Sequence, residues 1–383
     1  MNLSQNFYAY LCQKYPKLQD EALESAIAPN LLSPYHVKLS SRVKADVILT
    51  IEAFQALRDS SSFQAYMEKK WGPLFNPGNN SIFMSYDFHV TPDEKLKLIE
   101  INTNASFLGL GWEMNQFFKH PWNADFQIDG LKNCFLNELK LAGYTKPLKK
   151  IIITDENPKQ QRLYLEFVLY RELFKSFGYE CEIADINEVD KLKTADLIYN
   201  RSTDFYLEEP QTAGLKELFL SKSCAVSPQP YEYRLLADKE NFIDWSGPEF
   251  WNEVQLEEKY KKVIQDVLPK TRVLNQENRE QIWAERKGLF FKPKRAFGSK
   301  SAFRGASVAR KAFESLVEQN SLAQEIIPPA ELQFETPTGM QTFKYDLRCY
   351  AYRDQYQGCV GRLYQGQVTN LRTEGGGFAP VLF

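Results

Sequence analysis

Between Lys149 and Pro230 short apolar runs alternate with helix-compatible tracts, and this alternation constrains the fold more than any other feature of the chain. The runs KKIIIT, CEIAD, DLIYNR and SCAVSP are strand-length and rich in β-branched residues. The tract from Gln160 to Phe177, closed by Gly178, has the length and periodicity of a helix. Strands separated by helices cannot close as hairpins, so each returns beside an earlier one in the same direction, and the segment is expected to form a small parallel sheet. Ligands of such sheets gather beyond the carboxyl ends of the strands, which makes Asn200 and Arg201, at the end of DLIYNR, candidate substrate contacts.

The flanks read differently. Apolar residues three or four apart predict helices from Ser4 to Ala28 and from Ser40 to Lys70, the second carrying Val43, Val47, Ile51, Phe54 and Leu57. SIFMSYDFHV, the turn TPDE and KLKLIEIN form a hairpin pattern, and the run from Thr342 to Val381 alternates aromatic and β-branched residues with polar ones between glycine-containing turns. The expected class is therefore mixed α+β and α/β, and 383 residues suit two or three closely packed lobes. The boundaries fall at 1–148, 149–232 and 233–383.

With 47 basic and 49 acidic residues the net charge is −2, which leaves no broad basic face for nucleic acid and favours a small-molecule or peptide substrate. Six scattered cysteines and three histidines give no zinc-ligand spacing, so reduced thiols are expected. The N-terminal stretch MNLSQNFYAYLCQKYPK has no basic head and apolar run, and no tract approaches the roughly twenty apolar residues of a membrane span. A cytoplasmic protein without a membrane partner is expected; the oligomeric state is not legible.

Four stretches carry candidate chemistry. In FFKPKRAFGSKSAFRG, Lys292 ends a strand, Lys294 competes with it, and Gly298, Ser299, Ser301 and Gly305 could lay backbone N–H groups on phosphate oxygens, although neither a Walker loop nor a GxGxxG turn is present. Gln324-Glu325-Ile326-Ile327 runs into Pro328-Pro329 and suits an adenine hinge. Asp87, Glu100 and Asn102 offer hard oxygen donors of the kind Mg2+ prefers, with Glu100 and Asn102 on one face of a strand. Arg348, in Asp346-Leu347-Arg348, and Arg362 lie on neighbouring strands, followed by Thr369-Asn370 and Gly375-Gly376-Gly377; arginines aimed at one cleft suit a carboxylate and its developing phosphate charge. Taken singly, each stretch has an ordinary reading as a surface hairpin, a strand end or a charged sheet face.

Taken together they resemble the ATP-grasp superfamily in rotated order. CAVSPQP, Asp238-Lys239, Pro269-Lys270-Thr271, Lys292-Pro293, Gln324-Glu325, Asp346-Leu347-Arg348, and Arg362 with Thr369-Asn370 and GGG follow the family's sequence of parts. The family's last part, "D…E.N", stands at the other end as Asp87 and Glu100-Ile101-Asn102, thirteen positions apart from Asp to Glu. Joining Phe383 to Met1 restores the usual order, a circular permutation similar to the synthetase region of glutathionylspermidine synthase-type ligases.

This resemblance implies a permuted ATP-grasp fold with a Rossmann-like pre-ATP-grasp lobe. It further implies a ligase that joins a carboxylate to an amine through an acyl phosphate, using ATP and Mg2+. Lys239, Lys292 or Lys294 would contact phosphates, Gly298, Ser299, Ser301 and Gly305 would form a lid, and Gln324, Glu325, Ile326 and Ile327 would hold adenine. Asp87, Glu100 and Asn102 would bind Mg2+, and Arg348 and Arg362 would act on the carboxylate and acyl phosphate. Asn104, Asn200, Arg201, Asn370, Gly375 and Gly376 would contact substrate. A kinase or other phosphotransferase, and a non-catalytic nucleotide-binding protein, are the alternatives. No amidase-like domain precedes these parts, so a glutathione–polyamine substrate pair is not expected.

Overall fold

The computed structural model describes residues 2–21, 23, 27–294, 303–367 and 369–383. In chain order its strands are β1 (Val37–Lys38), β2 (Met84–Val90), β3 (Leu96–Asn102), β4 (Lys150–Asp155), β5 (Glu180–Asp185), β6 (Leu197–Asn200), β7 (Ala225–Ser227), β8 (Thr271–Val273), β9 (Leu289–Lys292), β10 (Phe303–Arg304), β11 (Leu322–Glu325), β12 (Glu331–Thr336), β13 (Gly339–Tyr352), β14 (Gln355–Tyr364) and β15 (Gly377–Leu382). Among the described residues they make three sheets in a mixed α/β architecture.

The strand–helix alternation produces the sheet it demands. Strands β4 to β7 pair only in parallel, in the order β5-β4-β6-β7. The crossover helix Tyr164–Ser176 buries Phe167, Val168, Tyr170 and Phe174, and the chain reverses at Gly178, whose φ of +95° is cheap only without a Cβ.

The largest sheet is built from both ends of the chain, in the order β1-β15-β14-β13-β2-β3. Strand β13 is long enough to hold β12 along its first half and β2 along its second, both antiparallel. The hairpin β2–β3, drawn from the front of the sequence, therefore lies directly on a strand from its tail. At the opposite edge β1 pairs in parallel with β15.

Alternation then divides the faces of this sheet. Tyr86, Phe88, Ile101, Leu347, Cys349 and Leu363 pack with Val43, Val47, Ile51, Phe54 and Leu57 of the helix Ser41–Asp59. Asp87, Glu100, Asn102, Asp346, Arg348 and Arg362 take the other face. The third sheet, β10-β9-β11-β8, is antiparallel and rests Phe291 and Ala323 on Ile282, Phe313, Leu316 and Val317.

Two expected helices are shorter than their periodicity suggests. The first ends at Lys14, because Pro16 cannot continue its hydrogen-bond ladder, and a 3-10 turn, Pro16–Glu21, follows. The second is two helices, Ser41–Asp59 and Ser61–Trp71, broken where Ser60 adopts an extended conformation and caps the N–H of Phe63. All six cysteines are buried and none forms a disulfide. Among the described residues, no helix is long and apolar enough to cross a membrane.

Candidate active site

A cavity of about 740 Å3 opens where the three sheets meet. Its floor is the polar face of the large sheet. There Asp87 pairs in register with Arg348 on one side and Glu100 on the other, and Asp346 pairs with Arg362. The Asp87 carboxylate accepts at Oδ1 from Arg348 Nε (3.0 Å) and Ser85 Oγ (3.0 Å), and at Oδ2 from Arg348 Nη2 (2.7 Å) and Arg362 Nη2 (2.8 Å). Burial pulls its pKa up, but the two guanidiniums and these hydrogen bonds outweigh burial and hold it at about 2. Arg362 Nε and the Thr369 hydroxyl both donate to Asp346. Negative and positive groups thus alternate across three strands, each fixing the next, and both arginines face the cavity.

The expected oxygen donors differ in their partners. A carboxylate offers about four lone-pair directions, and those of Asp87 are all taken. In this arrangement Asp87 orients Arg348 and Arg362. Glu100 and Asn102 have looser partners, since Asn102 Nδ2 lies 3.4 Å from both Glu100 Oε1 and Ser85 Oγ. These two fit Mg2+, which is commonly held by one or two protein oxygens while water and phosphate oxygens complete its shell. Among the described residues no group of three or more His, Cys, Asp or Glu is arranged to hold a metal ion.

One wall belongs to the small sheet. Lys292, at the end of β9, donates to Gln324 Oε1 (2.8 Å), and Gln324 Nε2 donates to Thr271 Oγ1 (3.1 Å), so a strand-to-strand relay fixes the ammonium. Burial pushes the Lys292 pKa down to about 8; Glu100 opposes the shift and Lys239, also on the wall, adds to it. Phe290, Ile326, Ile327 and Pro328 make an adjoining apolar slot. His89, two residues beyond Asp87, joins this wall with Nδ1 2.7 Å from the carbonyl oxygen of Ile327.

The far end is formed by the parallel sheet. Asp155 closes β4 and Arg201 follows β6, so both stand at the carboxyl ends of strands. Arg201 Nη1 donates to Asn104 Oδ1 (2.8 Å) and to the Tyr199 hydroxyl (3.1 Å), and its guanidinium lies over Phe167 and Tyr199 at 5.2 and 5.5 Å. Its buried Nε has no hydrogen-bond partner among the described residues. Burial raises the Asp155 pKa to about 6, and Arg201 opposes that rise. Arg162, Gln161, Ser106 and Thr203 complete this end.

Of the residues singled out from sequence, Asp87, Glu100, Asn102, Asn104, Arg201, Lys239, Lys292, Gln324, Glu325, Ile326, Ile327, Arg348 and Arg362 line the cavity. The others do not. Lys294 forms an ion pair with Glu240 at 2.7 Å, whereas Lys239 and Lys292 line the cavity. Gly305 is buried, and a Cβ there would come within 2.0 Å of the Arg286 carbonyl oxygen, so close packing requires glycine at this position. Asn200 turns inward to accept from the Ser202 N–H. Asn370 accepts from the N–H groups of Arg372 and Thr373 and so shapes its own loop. Gly375 and Gly376 pack against Tyr35 and against Leu363 and Thr373. The N–H of Ile326 is bonded to Gly288 and is not free for a ligand. Gly298, Ser299 and Ser301 lie outside the described residues.

His89, Asp155 and Arg162 escaped the sequence reading. His89 shares a strand face with Asp87 and could have been found by period-two counting; Asp155 ends a predicted parallel strand, where the same rule that selected Arg201 applies. Arg162 carries no comparable signal.

No model of a known protein family matches the sequence, and no curated protein does. Among solved structures, the chain is similar to a glutathione synthetase-like effector from Globodera pallida in its apo form: TM-score 0.52, 11% identity, 97% of each chain covered. At that identity the likeness speaks of fold alone, and it extends over nearly the full length of both chains. A protein from Methylobacillus flagellatus KT, described provisionally as a gamma-glutamylcysteine synthetase, overlaps 86% of this chain and 84% of its own at a TM-score of 0.44 and 11% identity, too low to carry an argument.

Proposed function

We propose that the chain is an ATP-dependent carboxylate–amine ligase built on a circularly permuted ATP-grasp fold. On this reading residues 233–383 carry the nucleotide-binding parts, 1–148 supply the hairpin that completes them, and 149–232 form the pre-ATP-grasp lobe. The observation that carries it is the convergence on one cavity of Lys239 and Lys292, an apolar slot, two carboxylate-oriented arginines and a separate end carrying Arg201 and Asp155. Phosphoryl transfer relies on positioning and charge neutralisation, which these groups provide without a nucleophilic side chain.

The slot of Phe290, Ile326, Ile327 and Pro328 suits a purine, and Lys239 and Lys292, on the same cavity, would meet its phosphates. Arg201, with a spare N–H in a buried setting, suits an anionic group of the acid substrate, while Asp155 beside it suits a cationic one. The acid's reacting carboxylate would then face Arg348 and Arg362. Its oxygen would attack the terminal phosphorus with ADP leaving, and the neutral amine would then attack the acyl carbon, expelling phosphate, which takes up the proton lost from nitrogen. Both arginines are already fixed by Asp87 and Asp346, so little side-chain entropy remains to be lost as charge develops. A Mg2+ ion held by Glu100 and Asn102 would neutralise phosphate charge.

Phosphate release measured against panels of acids and amines tests this. A ligase needs both partners, whereas a kinase needs one acceptor. Glu100→Gln is expected to lose turnover with its circular dichroism unchanged; an active Glu100→Gln enzyme refutes the metal assignment.

A further inference from the structure

His89 lies outside the set of residues that the motifs single out, yet it occupies the seam between two sheets. Strand β2, which carries it, is stapled to the 326–330 linker twice: by His89 Nδ1 on the Ile327 carbonyl oxygen at 2.7 Å, and by the Ala330 N–H on the Val90 carbonyl oxygen at 2.9 Å. A carbonyl oxygen only accepts, so Nδ1 must carry the proton. In the neutral ring the other nitrogen, Nε2, is then an acceptor. Among the described residues Nε2 has no hydrogen-bond partner, and the ring lines the cavity, as do Ile327 and Phe290.

Resting on the nucleotide site proposed above, we infer that His89 is a specificity-determining residue that reads the purine base, its Nε2 accepting from an exocyclic amino group and thereby favouring adenine over a 6-oxo purine. The chemistry is directional. Adenine presents N–H donors at position 6, where hypoxanthine and guanine present a carbonyl oxygen that would meet the Nε2 lone pair head-on. The hydrogen bond to Ile327 fixes both the tautomer and the ring plane, so this preference is built in before any ligand arrives. The same bond couples base recognition to the linker between the small and large sheets.

The test is titration calorimetry of the full chain with ATP and with inosine triphosphate, each with Mg2+, for the wild type, His89→Phe and His89→Gln. One neutral hydrogen bond gained against one lone-pair conflict is expected to favour ATP roughly tenfold or more in the wild type. His89→Phe, which keeps the ring but has no acceptor, is expected to bring the two affinities within about threefold of each other, while His89→Gln, which retains an acceptor, keeps an intermediate preference. A His89→Phe protein with the wild-type ratio overturns the inference and leaves the nucleotide site standing. A wild type that binds both nucleotides equally overturns it without any variant, which covers the case of a substitution that fails to fold. A wild type that binds neither overturns the proposed nucleotide site, and the inference with it.

Discussion

Lys292→Met is expected to make the free protein more stable and nearly blind to nucleotide. The Lys292 ammonium is held largely out of water with Gln324 Oε1 as its hydrogen-bond partner, and burial brings its pKa from 10.5 to about 8. A displacement of that size means the protonated form is disfavoured in the folded chain by roughly 3 kcal/mol at neutral pH. Methionine removes this cost but gives up the Gln324 hydrogen bond, roughly 1 kcal/mol, and an attractive neighbour of Glu100. The net gain is roughly 1–2 kcal/mol, or a rise of roughly 1–3 °C in melting temperature for a chain of this size.

The pH dependence has a definite sign. Unfolded Lys292 keeps its proton to about pH 10.5, whereas the folded residue releases it near 8, so between these values the unfolded state binds more protons and wild-type stability rises with pH. The advantage of the variant should therefore be full below pH 8 and close between pH 8 and 10.5. Thermal melts of both proteins across that range, with and without Mg-ATP, read every part of the argument. Nucleotide should raise the wild-type midpoint and barely move that of the variant. A variant that melts below the wild type at pH 7, or whose margin does not change with pH, refutes the assignment of Lys292 as a desolvated cation awaiting a polyanion.

Asp87→Asn should cost roughly 3–5 kcal/mol in denaturant unfolding, because two buried guanidiniums lose their shared counter-charge; an unchanged midpoint would dismiss the bridge as a stabilising element. With the folded Asp87 pKa at about 2 against an ordinary 3.8, its contribution is fully present above pH 4 and is lost as pH falls towards 2, a dependence Asp87→Asn should not show. Gly305→Ala should lower stability by roughly 1–3 kcal/mol, since its Cβ would meet the Arg286 carbonyl oxygen. Weaker nucleotide binding by that variant at unchanged stability would instead return Gly305 to the phosphate loop.

What the sequence could determine was everything that depends on period and punctuation. The parallel pairing of β4 to β7 follows from strands separated by helices, and the β2–β3 hairpin follows from two apolar arms around TPDE. The same local logic placed Lys292 and Arg201 at strand ends, and it failed for the long helices only where Pro16 and Ser60 interrupt the ladder.

The roles within the site could not be settled that way. Asp87 reads as a free carboxylate until Arg348 and Arg362 arrive from strands more than 250 residues downstream and donate three hydrogen bonds to it. Lys294 and Lys292 are indistinguishable as letters; Glu240 claims one and the cavity keeps the other. Gly305 signals flexibility in a sequence and close packing in space. Local pattern fixes where a side chain starts, whereas its charge state, its partners and its freedom to meet a ligand depend on desolvation and on neighbours remote in the chain, which only the folded arrangement supplies.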